Sequence, residues 1–283
     1  MKAGLAVFQL ICVLSMWAAP AYASNAPEVD AGFRLLYELR FGQARAQFAA
    51  WQQSHPDDPM GYASEAAAYL FEEFYRQDIL TSEFFLDDDR LLGGIGGLPD
   101  EMLREAFFRA NQRARDLAHT RLEKNPLDAD ALFALTISTG MLADYAALIE
   151  KRQLESLRYV REAEGQAKQL LKIAPFAADA YLPLGAANYI IGCLPVYKRF
   201  FLWFGGIKGD RRKGMEQLRM AATQGHYLKP FAKMLLALAA LREKQPDLAR
   251  ALLHELVAEF PGQPLFAREL ALLSAPDSRN TSP

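Results

Sequence analysis

Apolar residues between positions 178 and 261 recur at intervals of three and four, a spacing that places them on one face of an α-helix. Gly or Pro divides this stretch into four segments, which predict two consecutive helix–turn–helix units. The segments read DAYLPLGAANYIIG, GDRRKGMEQLRMAATQG, KPFAKMLLALAALREK and PDLARALLHELVAEFP. If the rest of the chain repeats this unit, the protein is a helical solenoid.

The N-terminal part of the chain shows a matching order of small and bulky residues. Gly32, Phe41, Ala44 and Phe48 are followed by the run SHPDDP at residues 54–59. Small residues let two helices approach closely, bulky ones fill the remaining gap, and Pro stops the second helix. This order resembles the tetratricopeptide repeat (TPR), a helix–turn–helix unit of about 34 residues.

The fourth unit matches the repeat pattern most closely. Its pattern residues are Tyr181, Leu184 and Gly185 in the first helix and Gly214, Leu218 and Ala221 in the second. Units three and four each open after a Pro with an Asp-Ala pair, at Asp130 and Asp179. An Asp near a helix start is favoured by the free backbone N–H groups and the helix dipole. We expect Gly185→Leu to overpack the fourth pair and destabilise the protein.

The resemblance covers nearly all of the chain after residue 23 and implies an all-α fold. We expect a right-handed α-solenoid of about five irregular TPR-like helix-turn-helix units over residues 24–274. Insertions at 77–100 and 195–208 interrupt it. Residues 275–283 form a polar tail that is expected to be disordered.

The first 23 residues have the features of an export signal. Lys2 supplies a positive charge, residues 4–19 form an apolar run, and Ala-Tyr-Ala at 21–23 fits a small-x-small cleavage site. Residues 1–23 are therefore predicted to be a cleaved signal peptide, and the mature protein to be periplasmic or secreted. No later apolar run looks long enough to span a bilayer, so the mature chain is expected to be soluble.

Composition and motifs argue against several classes of function. A hydrophobic fraction of 51% allows a buried core, and a net charge of −2 argues against a broad nucleic-acid surface. The four histidines, in different units, are His55, His119, His226 and His254. No nucleophile motif is present, and Cys193, alone after cleavage, is expected to be a small buried apolar residue. We therefore predict no catalytic residues, no metal and no cofactor.

The family resemblance implies a concave surface, lined by one face of each first helix, where partners bind. On this chain the corresponding positions are Phe33, Tyr37, Leu70, Phe71, Phe133, Ile137, Met141, Leu182, Tyr189 and Met234. This lining is almost entirely apolar and lacks the Lys, Asn and Arg side chains that hold a peptide carboxylate in co-chaperone members. It suits a hydrophobic peptide, a partner helix or a lipid-like molecule. The alternative is that the insertions or oligomerisation fill the groove.

The second insertion combines basic and aromatic residues. Possible surface contacts in it and just after it are Lys198, Arg199, Trp203, Arg211 and Arg212. Such a mixture suits a membrane surface or an anionic ligand. The alternative is that the aromatic residues pack on the solenoid while the basic residues are solvated.

Two functions from different classes fit these features. The first is a non-catalytic, exported TPR scaffold or adaptor that binds a protein or peptide partner in the apolar concave groove. The second is a carrier for a hydrophobic small molecule such as a lipid, with the insertion at 77–100 as a lid. Nucleic acid is not an expected partner, peripheral membrane contact stays open, and the oligomeric state does not follow from the residues.

Overall fold

The computed structural model describes residues 26–87, 90, 94, 96–194 and 209–274. These residues form twelve α-helices and no β-strand. The helices are α1 (Pro27–Tyr37), α2 (Phe41–Ser54), α3 (Pro59–Arg76), α4 (Ser82–Leu86), α5 (Glu101–Lys124), α6 (Ala129–Asp144), α7 (Gln153–Ile173), α8 (Tyr181–Cys193), α9 (Arg211–Gln224), α10 (Lys229–Arg242), α11 (Pro246–Glu259) and α12 (Pro264–Ser274). A π-helical turn, Tyr145–Ile149, follows α6, and a 3-10 turn, Ala178–Ala180, precedes α8.

The long helices pack in consecutive pairs. α1 packs on α2, α3 on α5, α6 on α7, α8 on α9 and α10 on α11, while α12 closes the series against α11. Neighbouring pairs also touch, because α2 contacts α3, α5 contacts α6, α7 contacts α8 and α9 contacts α10. The predicted all-α solenoid of helix–turn–helix units is confirmed, with five pairs in the described part of the chain.

Aspartate residues cap the N-termini of several helices. Asp58, Asp100, Asp128 and Asp210 stand just before α3, α5, α6 and α9, and each carboxylate accepts a bond from a backbone N–H of the first turn. These N–H groups have no partner within the helix. Each cap therefore contributes about 1 kcal/mol to stability.

Glycines set the distance between paired helices. In the first pair, Gly32 faces the ring of Phe48 so closely that a β-carbon at position 32 would overlap it. In the fourth pair, a β-carbon at Gly214 would lie 2.6 Å from the backbone nitrogen of Tyr189. The small residues of the repeat pattern thus let the helices approach, as the sequence predicts.

The helix α6 lies in the core, and most of its residues are buried. Together with the π-turn it forms a stretch, Ala129–Ile149, that is long and apolar enough to cross a membrane by length and composition. The expectation that no later apolar run has that length is therefore wrong. However, 78% of its apolar window is buried inside the fold, as in the core helix of a globular protein.

The first and last units of the solenoid touch across its inner side. The ring centroid of Tyr227, in the turn before α10, lies 5.0 Å from that of Phe33. The Tyr227 carbonyl accepts a bond from the Tyr37 hydroxyl at 2.9 Å, and His226 Nε2 lies 2.8 Å from Asp30 Oδ1. The partners of these two polar contacts are separated by 190 and 196 residues. The superhelix therefore closes on itself.

The segment between α3 and α5 lies against the C-terminal helices. Its short helix α4 is held by two polar contacts to them. The Ser82 backbone N–H donates to Glu269 Oε2 at 3.3 Å, and Arg242 Nη1 donates to the Phe85 carbonyl at 2.7 Å. The first insertion thus joins the second unit to the last one.

Candidate functional site

The ten predicted groove positions lie mainly inside the protein. Eight of them are buried, namely Phe33, Tyr37, Leu70, Phe133, Ile137, Met141, Leu182 and Tyr189. Phe71 and Met234 are partly exposed. The concave face that these side chains form is therefore covered along most of its length.

Side chains of the C-terminal units cover this inner face. Besides Tyr227, the ring of Phe231 in α10 packs edge-on against Phe71 with centroids 5.1 Å apart. Phe260, just after α11, lies 5.8 Å from Tyr37. These three covering residues belong to the C-terminal units, and residues 195–208 of the second insertion lie outside the described residues. Partner binding at the ten positions stays a prediction, and it would require the C-terminal units to move aside.

Two of the predicted basic contacts lie exposed at the start of α9. Arg211 Nε donates to the carbonyl of Gly192 at 3.1 Å, and its Nη1 lies 3.3 Å from Glu243 Oε1. Arg212 is exposed next to it. The other three, Lys198, Arg199 and Trp203, lie outside the described residues. Contact of this region with a membrane or an anionic ligand therefore stays a prediction.

An open apolar cleft lies between the first insertion and the C-terminal helices. Leu80, Thr81, Ser82 and Phe85 form one wall, and residues of α10, α11 and α12 form the other. The apolar side chains of the second wall include Phe231, Met234, Leu238, Leu265, Phe266 and Leu273. The space measures about 550 Å³, including the part open to solvent. We call it the α4–α12 cleft.

A second apolar pocket of about 440 Å³ lies next to the α4–α12 cleft. Phe85, Leu235 and Leu238 border both cavities. The α8 residues on its other side include Tyr189, Ile190 and Cys193. Cys193 is partly buried among these apolar neighbours, and Phe85 lies where the two cavities meet.

One carboxylate enters the lining of the α4–α12 cleft. Glu269 of α12 is buried, and its Oε2 accepts the bond from the Ser82 N–H. Its Oε1 lies 3.4 Å from Arg268 Nη2. Because the remaining lining is apolar apart from Thr81 and Ser82, this carboxylate is the charge that a ligand in the cleft would meet.

The sequence does not single out the residues of this cleft. It suggests the insertion as a lid and α12 only as a short capping helix. The sequence feature that could have indicated this cleft is the pair Phe84 and Phe85. Two adjacent phenylalanines in an insertion are expected to pack against an apolar surface elsewhere in the protein. Their partners on α10 and α12 lie more than 150 residues away, as the 157 residues between Phe85 and Arg242 show.

The described histidines do not form a metal site. His55 stacks on the indole ring of Trp51 with centroids 3.6 Å apart, and His226 contacts Asp30. Within the described ranges, no group of three or more His, Cys, Asp or Glu side chains could hold a metal ion.

Two titratable side chains lie where α6 meets the π-helical turn, the half-buried Asp144 and the buried Tyr145. The Tyr145 hydroxyl is buried with no hydrogen-bond partner among the described residues, and its ring stacks on Phe107 at 4.9 Å. Burial, and then the nearby Glu73 carboxylate, raise the pKa of Tyr145 well above its usual value. Desolvation raises the pKa of Asp144 to about 7. Turns of this kind often occur at functional sites, but here the measurable consequence concerns stability.

Asp144→Asn is expected to stabilise the protein more at about pH 8 than at about pH 5. The folded carboxyl titrates near 7 and the unfolded one near 3.8, so only the folded state holds the proton between these values. Stability therefore falls as pH rises through this window, by at most about 1.4 kcal/mol per pH unit. Urea unfolding at both pH values measures the difference. Asp116→Asn, at an exposed position, is the control, and equal pH dependence of both variants would contradict the prediction.

Comparison with solved structures finds a likeness in fold. The chain is similar to the crystal structure of TTC0263, a thermophilic TPR protein of Thermus thermophilus, with 15% sequence identity and a TM-score of 0.48. The match covers 89% of this chain and 99% of that one. No protein-family model matches the sequence, and no curated protein matches it. The description of the fold as a solenoid therefore rests on the helix pairs themselves.

Proposed function

We propose that this protein is an exported, non-catalytic helical-repeat protein that binds an apolar ligand in the α4–α12 cleft. The observation that carries the proposal is the lining of the cleft, which is apolar except for Thr81, Ser82 and Glu269. Apolar cavities with a few polar groups are the usual form of small-molecule binding sites. One wall belongs to the insertion at 77–100, so this proposal is the carrier function with that insertion as a lid.

The second candidate is a scaffold that binds a protein partner at the same cleft. Two exposed leucines favour it, because Leu86 follows Phe85 in the chain and Leu272 precedes Leu273. Their exposed fractions are 43% and 61%. Apolar side chains beside a pocket are typical of a contact surface in which a partner inserts an anchor residue. The concave groove offers less for an adaptor, since eight of its ten positions are buried.

Export is part of the proposal and rests on the first 23 residues, which lie outside the described residues. Their charge, apolar run and Ala-Tyr-Ala ending are the features of a cleaved signal. Cell fractionation, with determination of the N-terminus of the mature protein, tests it. A mature chain that begins at Ser24 would support export, and an intact Met1 in the cytosol would contradict it.

The uncharged fluorophore N-phenylnaphthylamine is expected to bind the purified protein and to be excluded by Leu238→Trp. Leu238 borders the cleft and is partly exposed, so a larger side chain there can fill the space without disturbing the core. We expect at least about a tenfold loss of affinity, which corresponds to about 1.4 kcal/mol. Fluorescence titration measures it.

Leu154→Trp is the matched control, because Leu154 is 86% exposed near the start of α7, away from the cleft lining. It should leave probe binding unchanged. No binding to the unsubstituted protein, or equal loss in both variants, would contradict the proposal. Native mass spectrometry of protein purified from its own host separates the two candidates: a co-purifying small mass supports the carrier, and a bound polypeptide supports the scaffold.

A further inference from the structure

We propose that the α4–α12 cleft selects a single-chain amphiphile with a primary ammonium head group, and that Glu269 determines this specificity. The inference rests on the proposed function, because it concerns the ligand of the same cleft. In this arrangement the apolar walls take the alkyl chain, and the carboxylate takes the head group.

The Glu269 carboxylate uses only part of its hydrogen-bonding capacity. The residue is 9% exposed, and its two contacts are the Ser82 N–H at 3.3 Å and Arg268 Nη2 at 3.4 Å. A carboxylate can accept about four hydrogen bonds. A buried charge with few partners is costly, so an ammonium group that enters the cleft would gain a favourable contact.

The positive charges of the arginines around the cleft do not prevent a cation from binding at Glu269. Arg268, which contacts Glu269, is 51% exposed, so water screens its charge. Arg250 pairs with Asp247 at 2.7 Å. Arg242 donates to a backbone carbonyl of α4 and borders the second pocket. Glu269 is therefore the charge that lines the α4–α12 cleft itself.

A fatty-acid carboxylate is the head group least suited to this site. Beside Glu269 it would place two negative charges in a poorly solvated space, where like charges disfavour each other's ionised form. An alcohol head group could donate one hydrogen bond but would bring no opposite charge. The expected order of affinity is therefore amine, then alcohol, then carboxylate.

The position of Phe85 indicates the direction in which the alkyl chain would extend from Glu269. It borders both the cleft and the second pocket, together with Leu235 and Leu238. An alkyl chain whose head lies at Glu269 would meet apolar side chains of α10 on its way toward Phe85. Dodecyl chains are therefore suitable test ligands.

Displacement of N-phenylnaphthylamine by dodecylamine, dodecanol and dodecanoate tests the inference. Each is used below the concentration at which it forms micelles. Dodecylamine is expected to displace the probe at a concentration about tenfold lower than dodecanoate, as one charge-assisted hydrogen bond would give. The difference should persist at high salt, because screening acts mainly on exposed charges.

Glu269→Gln keeps the shape of the side chain and removes its charge. We expect this variant to lose the preference for the amine, with dodecylamine and dodecanoate displacing bound N-phenylnaphthylamine at equal concentrations. Glu255→Gln, at an exposed position on α11, makes the same change in net charge and should keep the preference.

The outcomes separate this inference from the proposed function. If the probe binds but the unsubstituted protein does not prefer dodecylamine, the inference is overturned and the apolar cleft stands. An amine preference that survives in Glu269→Gln would overturn the role of Glu269. If the probe does not bind at all, the proposed function falls. The preference of the unsubstituted protein needs no variant, so a folding defect in Glu269→Gln leaves that test intact.

Discussion

Gly185→Leu is expected to lower the free energy of unfolding by about 3 kcal/mol or more, because the fourth helix pair has no room for a side chain there. A β-carbon at position 185 would lie 2.8 Å from the backbone nitrogen of Leu218 and 3.0 Å from the carbonyl oxygen of Gly214. Both are backbone atoms of α9, so only a separation of α8 from α9 relieves the contact. Urea unfolding followed by circular dichroism measures the loss.

Gly165→Leu is the matched control for this substitution. Gly165 lies within α7, and a β-carbon there meets nothing within 4 Å. Because leucine favours a helix over glycine by up to about 1 kcal/mol, the control should be neutral or more stable. Unchanged stability of Gly185→Leu, or equal loss in both variants, would contradict close packing of α8 on α9 at this glycine.

In a closed superhelix, a local defect is expected to affect more distant units than it would in an open solenoid. In an open solenoid each repeat contacts only its neighbours, so damage spreads along the chain. Here Tyr227, just before α10, packs on Phe33 of α1, and the first insertion reaches α12 through Ser82 and Glu269. A defect in the last unit therefore reaches the first one directly, without passing through the units between them. We expect cooperative unfolding of the described units rather than separate transitions.

The helix pairs could be predicted because their signals are local. The three-and-four spacing of apolar residues, Gly32 against Phe48, and Gly185 beside Gly214 all act within one pair. The groove positions, by contrast, came from the family resemblance, and their role in binding a partner stays a prediction.

The state of the groove and the cleft could not be predicted, because they depend on contacts across the whole chain. How far a superhelix winds is the sum of small rotations between successive repeats, and no single motif encodes it. Tyr227 meets Phe33 only after that sum is complete. The cleft needs the same winding, since Phe85 must reach Arg242 and Ser82 must reach Glu269.

The role of Asp179 could not be predicted either, because its partners also lie far away in the chain. Its place after a Pro suggests a carboxylate at the start of its own helix, as Asp128 is for α6. Instead Asp179 lies in a 3-10 turn and caps the turn of another unit. Its carboxylate accepts backbone N–H bonds from His226 at 2.9 Å, Tyr227 at 3.1 Å and Leu228 at 3.1 Å.

Asp179→Ala is expected to destabilise the protein by about 3 kcal/mol, because the buried N–H of Tyr227 and the partly buried N–H groups of His226 and Leu228 lose their acceptor. Asp179 is fully buried, and burial raises the pKa of its carboxyl while the three N–H donors lower it. The turn that it fixes carries Tyr227, so the substitution should also loosen the contact between the first and last units. Urea unfolding measures the stability, and hydrogen exchange at residues 226–228 measures the loosening.

Asp210→Ala is the matched control, because the Asp210 carboxylate caps only one N–H of its own helix, that of Lys213, at an exposed position. Its loss should be about 1 kcal/mol, the usual value for a helix cap. If Asp179→Ala costs no more than Asp210→Ala, or the amides at 226–228 keep their protection, Asp179 does not hold the turn. In that case the closure of the superhelix depends on the direct contacts between the first and last units, such as that of Tyr227 with Phe33. If Asp179→Ala loses more stability than Asp210→Ala and the amides at 226–228 lose their protection, the buried Asp179 carboxylate is needed to keep the inner face closed.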